Sequence, residues 1–258
     1  MTLERRIWQG GYNQKEVPPK YQEIIESDPE KQKAVELLVS QIPESIELET
    51  GEINLEDSTV LDLGAGTGAV EDKIKDRVGK VIALDKAEAM VSHIQKRFTG
   101  SEKVEPIVGD MTKIPLADNS VEVIISAGAI RELPVVKDGE VRIEEIENDF
   151  LRELMRVTKK GGVCILDSTR NANNDYVQRQ FVKRRQEELD RYKPGDKDQV
   201  AQRENIFLTD DIKDKDGGVI KGIGSRLKDL GYDCEVETLF DPEGKNQSAA
   251  VRIKLLEK

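Results

Sequence analysis

The sequence predicts an α/β protein with a mostly parallel seven-stranded sheet, one antiparallel strand and helices on both faces. Two observations lead to this prediction. In the middle of the 258-residue chain, five short β-branched segments alternate with amphipathic ones. Near the end, two further strand-like segments are joined by a short turn, Asp-Pro-Glu-Gly-Lys-Asn at 241–246, which favours an antiparallel hairpin. The predicted strands cover residues 59–63, 80–84, 104–108, 121–126, 163–167, 233–239 and 249–256.

The segments between these strands carry the apolar repeat of buried helical faces. Val70, Ile74 and Val78 recur every four residues, and Met90, Val91, Ile94 and Phe98 follow a similar spacing. A third segment, 146–155, also has an apolar face. That segment runs into Lys159-Lys160-Gly161-Gly162, where lysines suit the negative end of a helix and glycine permits a reversal. A turn is therefore expected before the fifth strand.

The chain is expected to divide into four parts. Residues 1–57 are predicted to be a helical lead-in, with one helix beginning at Asp28-Pro29, and residues 58–169 the α/β core. Residues 170–216 are polar and charge-rich, which suits a helical insertion. Residues 217–258 are predicted to add the final hairpin after a helix that contains Val219, Ile220, Ile223, Leu227 and Leu230.

Composition excludes several kinds of protein. No apolar run approaches the roughly 20 residues of a membrane span, and no apolar stretch follows the N-terminal arginines, so a cytoplasmic protein is expected. The net charge of −11 disfavours non-specific binding to nucleic acid. The one histidine, His93, excludes a multi-histidine metal site and suits a helix surface. Cys164 and Cys234 lie in strand-like segments, which favours buried hydrophobes over a disulfide or metal ligands.

The most informative stretch is residues 60–68, Val-Leu-Asp-Leu-Gly-Ala-Gly-Thr-Gly, a strand that runs into a glycine turn and then a helix. Glycines permit positive φ and let a ligand lie against bare backbone. The turn also satisfies the dinucleotide pattern G-x-G-x-x-A, so it does not identify the ligand by itself. Asp62 would be a costly buried carboxylate unless it met a cation or donors, such as an ammonium group on the ligand.

Acidic residues also end the next two strands. Asp85 lies at the carboxyl edge, where open α/β sheets bind ligands, and a ribose diol is its natural partner. The third strand ends in Gly109-Asp110-Met111, where the acid can accept an adenine amino group and the methionine can cover the ring. This third element is absent from a plain dinucleotide fingerprint.

In this order the motifs resemble those of the class I S-adenosylmethionine-dependent methyltransferases, in particular the branch similar to the ubiquinone and menaquinone biosynthesis methyltransferases. The resemblance covers residues 59–169 and includes 84–90, 109–120 and 153–162. It implies a Rossmann-like fold, S-adenosyl-L-methionine as methyl donor and S-adenosyl-L-homocysteine as product.

The resemblance also implies individual roles. Gly64, Ala65 and Gly66 would lie along the methionine part of the cofactor, Asp85 would hold the ribose hydroxyls, and Asp110 with Met111 would contact adenine. Gly161-Gly162 would be a structural turn, and Met90 is expected to pack in the core beneath the site. No metal ligand is predicted. The predicted cofactor-binding residues are Asp62, Gly64, Ala65, Gly66, Asp85, Lys86, Gly109, Asp110, Met111 and Ser126.

Methyl transfer from a sulfonium is an in-line displacement, so alignment and exclusion of water are the main tasks. No covalent nucleophile is needed, and only carboxylates and tyrosines are candidate bases. Residues 126–132, Ser-Ala-Gly-Ala-Ile-Arg-Glu, depart from the Asn/Asp-Pro-Pro-Tyr motif of similar enzymes that act on nucleic-acid bases or glutamine. They also lack the histidines often seen there in the small-molecule branch.

Two segments are candidates for enclosing the substrates. Related enzymes fold a lid over the cofactor where this chain has Trp8, Gly10, Gly11, Tyr12 and Tyr21. The insertion at 170–216 is the expected acceptor cap, with candidate contacts from Arg170, Tyr176, Arg179 and Arg184.

The expected function is transfer of a methyl group to a small-molecule acceptor, by a monomer or homodimer. A nicotinamide-dependent (NAD(P)) oxidoreductase is the first alternative, although no Tyr-x-x-x-Lys pair follows the fourth strand. A non-catalytic cofactor-binding sensor or partner subunit is the second. The sequence specifies neither the acceptor nor the atom that is methylated.

Overall fold

The computed structural model describes residues 11–133, 136–137, 140–170, 211–213, 219–239 and 248–258. Helices and strands alternate through its central part. In chain order, its helices and strands are α1 (Val17–Ser27), α2 (Pro29–Ser40), β1 (Ser45–Leu48), β2 (Gly51–Asn54), β3 (Thr59–Leu63), α3 (Ala69–Ile74), β4 (Lys80–Asp85), α4 (Glu88–Arg97), β5 (Val104–Val108), β6 (Val121–Ser126), β7 (Val136–Lys137), β8 (Glu140–Val141), α5 (Ile143–Val157), β9 (Thr158–Arg170), β10 (Ile212–Lys213), β11 (Val219–Ile220), α6 (Ile223–Asp229), β12 (Asp233–Leu239) and β13 (Ser248–Glu257).

The main sheet has seven strands in the order β12-β13-β9-β6-β3-β4-β5. Strands β3, β4, β5, β6 and β9 are parallel, whereas β13 pairs antiparallel with both β9 and β12. The predicted sheet with one antiparallel strand is therefore confirmed. The chain leaves β3 toward β4 and returns to β6 on its other side, so the strand order reverses at β3. Ligands of open α/β sheets bind at such a reversal, beyond the carboxyl ends of the strands.

Hydrophobic clusters cover both faces of this sheet. One cluster joins Leu61 and Leu63 to side chains of α5, including Phe150 and Leu154. The other joins Val60 to side chains of α2 and α3. Successive strand residues point to opposite faces, so Asp62 shares the face of Val60 and lies toward α3. Met90 is buried against Val17 and Ala87, as expected for a core residue beneath the site.

The bounds of β3, β5, β6 and β12 are those predicted, whereas β4, β9 and β13 are longer than predicted. β4 extends through Asp85, and β9 runs over Thr158–Arg170, beyond the predicted 163–167. The extension includes the predicted turn at Gly161, whose φ is +88°. The register between β6 and β9 shifts there, since Thr158 pairs with Val121 and Val163 with Val123.

Two predictions of helix were wrong. Residues 45–54 lie in the predicted helical lead-in but form the β1–β2 hairpin, in which Ile46 pairs with Ile53. Val219 and Ile220 were assigned to a helix, yet they form β11 and pair with β10. The helix begins at Ile223, after Gly222. The first prediction extended the helix that begins at Asp28-Pro29 through the rest of the lead-in, and the second added Val219 and Ile220 to an apolar repeat that is helical only from Ile223.

The predicted helical insertion lies outside the described residues except for its two ends, residue 170 in β9 and residues 211–213. Trp8, Gly10, Tyr176, Arg179 and Arg184 also lie outside the described residues. Across the ranges that are described, no helix is long and apolar enough to cross a membrane.

Candidate functional site

The glycine turn lies at the carboxyl end of β3, beside the end of β4. Gly64, Gly66 and Gly68 have φ values of +74°, +57° and +87°, which L side chains rarely adopt. The amides of Gly64 and Ala65 both donate to the Leu84 carbonyl, at 2.8 and 3.0 Å. These bonds attach the turn to β4 and keep its backbone at the edge of the sheet.

Two of these glycines also have no room for a side chain. A Cβ on Gly64 would lie 2.1 Å from the Ala129 Cβ, and one on Gly68 would lie 2.6 Å from Phe98 Cε2. A Cβ on Gly66 would make only ordinary contacts, with the Tyr21 ring at 3.6 Å and the Gly64 carbonyl oxygen at 3.9 Å. Gly66 is therefore the part of the turn that leaves space next to bare backbone.

Asp85 follows at the end of β4 and points to the glycine turn. Its Oδ2 accepts from the Gly66 amide at 2.9 Å, and its Oδ1 accepts from the Ala87 amide at 2.8 Å. Burial raises the pKa of Asp85, and these amide bonds oppose that rise. A carboxylate can accept about four hydrogen bonds, so Asp85 keeps acceptor capacity for hydroxyl groups of a ligand.

Asp110 lies at the end of β5 and is paired with Lys86. Lys86 Nζ lies 2.7 Å from Asp110 Oδ2, while the Thr112 amide and hydroxyl donate to Asp110 Oδ1. Burial alone would raise the pKa of Asp110, but these donors outweigh it and lower the pKa. Asp110 is therefore a charged acceptor, and the largely exposed Lys86 lies at the rim of the site.

Gly109 lets the following loop close tightly over β4. A Cβ there would lie 2.8 Å from Pro115 Cδ and 3.0 Å from Leu84 Cδ1. Met111 is partly buried, and its Cε would be 3.9 Å from a Cβ on Gly64. The loop after β5 thus reaches the first glycine of the turn.

Asp62 is buried beneath the turn with Glu71, the third residue of α3. Asp62 is 1% exposed and Glu71 0%, and neither carboxyl group has a hydrogen-bond donor within the described part of the chain. Burial and the charge of Glu71 raise the pKa of Asp62 well above its usual range. Burial also raises the pKa of Glu71, to about 7. The sequence indicated that Asp62 needs a partner, but it did not indicate Glu71.

Ser126, a predicted cofactor contact, is fully buried at the end of β6 and donates to the Leu63 carbonyl at 3.1 Å. This contact joins β6 to β3, and binding of cofactor by Ser126 stays a prediction.

Asp167, near the end of β9, accepts from the Gly128 amide and contributes to the raised pKa of Asp62. Sequence reasoning assigned Asp167 only to a strand, although its position at a carboxyl edge matches that of Asp85.

Helix α1 lies against the glycine turn. The Tyr12 and Tyr21 rings meet edge to face, with centroids 6.1 Å apart, and both pack on the cluster that contains Met90. Arg97 of α4 donates to the Thr67 carbonyl at 2.6 Å and lies 3.6 Å from Glu26 of α1. These contacts support the expectation that the N-terminal segment adjoins the site.

His93 on α4 provides a further link to this helix. Its Nε2 is 2.6 Å from Gln22 Oε1 of α1, and its side chain is partly exposed.

Cys164 is buried, Cys234 is partly buried, and neither forms a disulfide. Within the described ranges, no group of His, Cys, Asp and Glu side chains could hold a metal ion.

The structure brings most of the predicted residues together at this edge. Asp62 precedes the end of β3, Asp85 ends β4 and Asp110 follows the end of β5, so the three acids share the edge that holds the glycine turn. Met111 and Gly109 line the loop beside them, and Lys86 pairs with Asp110. The individual roles of these residues toward a ligand stay predictions.

Comparisons with known proteins identify this part of the chain. Residues 61–166 match the family model of a methyltransferase domain. A protein of Mycolicibacterium smegmatis named as an S-adenosylmethionine-dependent methyltransferase is 31% identical over 109 residues, or 42% of this chain and 37% of the relative. A demethylmenaquinone methyltransferase of Clavibacter sepedonicus is 29% identical over 107 residues, or 42% of this chain and 39% of the relative.

The matched segment thus spans less than half the length of either curated relative. Among solved structures, an S-adenosyl-L-methionine-dependent methyltransferase of Methanococcus maripaludis superposes with a TM-score of 0.56 at 15% identity. That match covers 96% of this chain and 95% of the other, which shows a shared fold. Residues 61–166 therefore form a class I S-adenosylmethionine-dependent methyltransferase domain, as their motifs indicated.

Proposed function

We propose that the protein transfers a methyl group from S-adenosyl-L-methionine to a small-molecule acceptor by in-line displacement. The observation that carries this proposal is the placement of three acidic side chains around one glycine turn. Asp62 and Asp85 lie at the carboxyl ends of β3 and β4, beside the point where the strand order reverses, and Asp110 follows the end of β5, the next strand. Each differs from the others in burial and hydrogen bonding, so each suits a different part of the cofactor.

The polar groups of the site fit the cofactor part by part. Asp62 is a buried carboxyl group without a donor, which an ammonium group would satisfy directly or through water. Asp85 has spare acceptor capacity for the two ribose hydroxyls. Asp110 is a charged acceptor for the adenine amino group, and Met111 lies beside it for contact with the ring.

When bound, the cofactor supplies a methyl group on a positively charged sulfur. The protein's own task is to orient the two substrates and to exclude water. Tyr21 packs over the open side of Gly66, which suits closure of the site by α1. Asp167 holds the Gly128 amide and thereby the segment that crosses Gly64. In this proposal that segment separates the cofactor from the acceptor.

The acceptor is proposed to be small rather than a nucleic acid. The net charge of −11 disfavours non-specific attraction of a phosphate backbone. If the acceptor must lose a proton, Asp167 is the carboxylate we assign to receive it, because it lies at the carboxyl end of β9 beside the glycine turn.

Calorimetry with S-adenosyl-L-methionine, S-adenosyl-L-homocysteine and NADH tests the proposal. Micromolar binding of the first two without binding of NADH is the expected result. A screen of metabolite acceptors, with formation of S-adenosyl-L-homocysteine as readout, then tests the transfer step. Binding of NADH alone would overturn the proposal in favour of an oxidoreductase. Tight binding of both sulfur ligands without turnover of any acceptor would favour a sensor or partner subunit.

A further inference from the structure

Asp62 and Glu71 form a buried acidic pair, and this pair is the least explained feature of the site. Asp62 comes from β3 and Glu71 from the first turn of α3, on the two sides of the glycine turn. All four carboxyl oxygens are buried, and none receives a hydrogen bond from a donor group of the residues that the structure describes. Buried polar atoms are almost always paired, so four orphaned oxygens in one place require an explanation.

A shared proton would explain the pair when no ligand is bound. Two ionised carboxylates cannot hydrogen-bond to each other, but a protonated carboxyl group can donate to an ionised one. Like charges in a dry site strongly favour retention of one proton. The raised pKa values of both groups agree with this state, burial being the largest cause in each.

Most of the charged groups around the acidic pair also favour its protonated state. Asp85 and Asp167 raise the pKa of Asp62, and Asp72 raises that of Glu71. Arg97 opposes this effect by lowering the pKa of Glu71, but it is already paired with Asp72. A second cation at the turn would therefore change the balance of charge markedly.

We propose that Glu71 is a positioning residue that shares one proton with Asp62 in the free protein, and that the acidic pair releases this proton when an α-ammonium group binds at the glycine turn. The inference rests on the proposed function, because the methyl donor and its product both carry such a group. The proton passes to solvent, and no covalent bond other than its own O–H is broken. The ammonium N–H groups replace it as donors to Asp62.

This linkage makes cofactor affinity depend on pH. If binding releases one proton, affinity increases up to about tenfold for each unit by which the pH rises, as long as the pH is below the pKa of the acidic pair. Above that pKa the acidic pair is already ionised, and affinity no longer depends on pH through it. 5′-Methylthioadenosine has the ribose and adenine but no amino-acid part. Its binding should therefore release no proton from the acidic pair, which separates this effect from titration of Asp85.

The experiment is calorimetry of the full chain near pH 6.5 in two buffers with different heats of ionisation. We expect the wild type to release up to one proton with S-adenosyl-L-homocysteine and almost none with 5′-methylthioadenosine. Glu71→Gln should release none with either ligand, and its affinity should change less than about twofold from pH 6 to 7. Asp76→Asn is the matched control, because it removes an exposed acid just beyond α3, outside the acidic pair, and should leave proton release intact.

Infrared difference spectroscopy of the wild type gives a readout that needs no variant. Addition of S-adenosyl-L-homocysteine should remove one protonated-carboxyl C=O band. Binding of this ligand without proton release and without loss of the band would overturn the inference and leave the proposed function standing. Failure of S-adenosyl-L-methionine and S-adenosyl-L-homocysteine to bind at all would instead overturn the proposed function.

Discussion

At the scale of single residues, Asp85 combines two tasks. It anchors the glycine turn through the Gly66 amide, and it is the proposed acceptor for the ribose hydroxyls. Asp85→Ala removes both, and loss of two charge-assisted hydrogen bonds of about 1.5 to 3 kcal/mol each predicts at least 100-fold weaker binding of S-adenosyl-L-homocysteine. Asp85→Asn keeps one acceptor oxygen and should fall between the two proteins in calorimetry.

Thermal unfolding of the Asp85 variants provides the control, since both should remain folded at the temperature of the binding measurement. The same affinity in all three proteins would reject the proposed position of the ribose.

Glu71 predicts a pH dependence of stability as well as of binding. Its pKa is raised from 4.5 to about 7 in the folded protein. Its contribution to stability is therefore fully present below about pH 4.5 and is lost as pH rises through about 7, on the order of 3 kcal/mol in total. Glu71→Gln cannot ionise, so its melting temperature relative to the wild type should increase between pH 5 and pH 8. Parallel pH profiles of the two proteins would contradict this prediction.

At the scale of elements, the β1–β2 hairpin docks on β9 at a glycine. A Cβ on Gly161 would lie 2.2 Å from the Glu47 carbonyl oxygen and 2.7 Å from Leu48 Cα, both backbone atoms. Gly231 has a similar φ, +91° against +88°, but nothing within 4 Å of its Cβ position. Gly161→Ala should therefore cost about 3 kcal/mol in chemical denaturation and Gly231→Ala about 1 kcal/mol.

The difference between these two glycine variants isolates the hairpin contact from backbone strain, because both positions have the same sign and size of φ. Equal losses of unfolding free energy would show that the hairpin does not press on β9 in solution.

The contacts of helix α1 with the glycine turn predict that ligand binding changes the hydrogen exchange of this helix. Its Tyr21 lies over Gly66, and its Gln22 bonds to His93 of α4. Bound cofactor should slow hydrogen exchange of the amides in α1, because closure of the helix over the ligand lowers local opening. Helix α6 packs with the cluster on the opposite face of the sheet and serves as the internal control. Equal protection of both helices would indicate global stabilisation instead of a lid.

At the scale of the whole molecule, the charge of the chain predicts its behaviour toward nucleic acids. The 51 acidic side chains exceed the 40 basic ones, which gives the net charge of −11. A net negative chain repels a phosphate backbone, so counterion release is expected to contribute little to non-specific association. Fluorescence anisotropy with a labelled RNA or DNA at physiological salt should show no binding up to the highest protein concentration tested. Salt-sensitive binding would contradict the proposed class of acceptor.

The order and type of the main elements could be predicted because their signals are local. Four strands, β3, β5, β6 and β12, have the predicted bounds, since each is a short strand-like segment with turn residues at both ends. The β1–β2 hairpin escaped prediction because two short strands depend on pairing with each other and on docking to β9. Val219 and Ile220 were placed in a helix for the same reason, since their strand needs a partner at 212–213.

The sequence by itself determined the α/β architecture, the glycine turn and the three strand-end acids, because periodicity and motif order are properties of neighbouring residues. Only the tertiary structure decided that Glu71 meets Asp62, that Asp167 holds Gly128, and that α1 covers Gly66. In the sequence Glu71 is one more acid in the first turn of a helix. Its chemistry follows from burial against a second carboxyl group, which is a property of the folded chain alone.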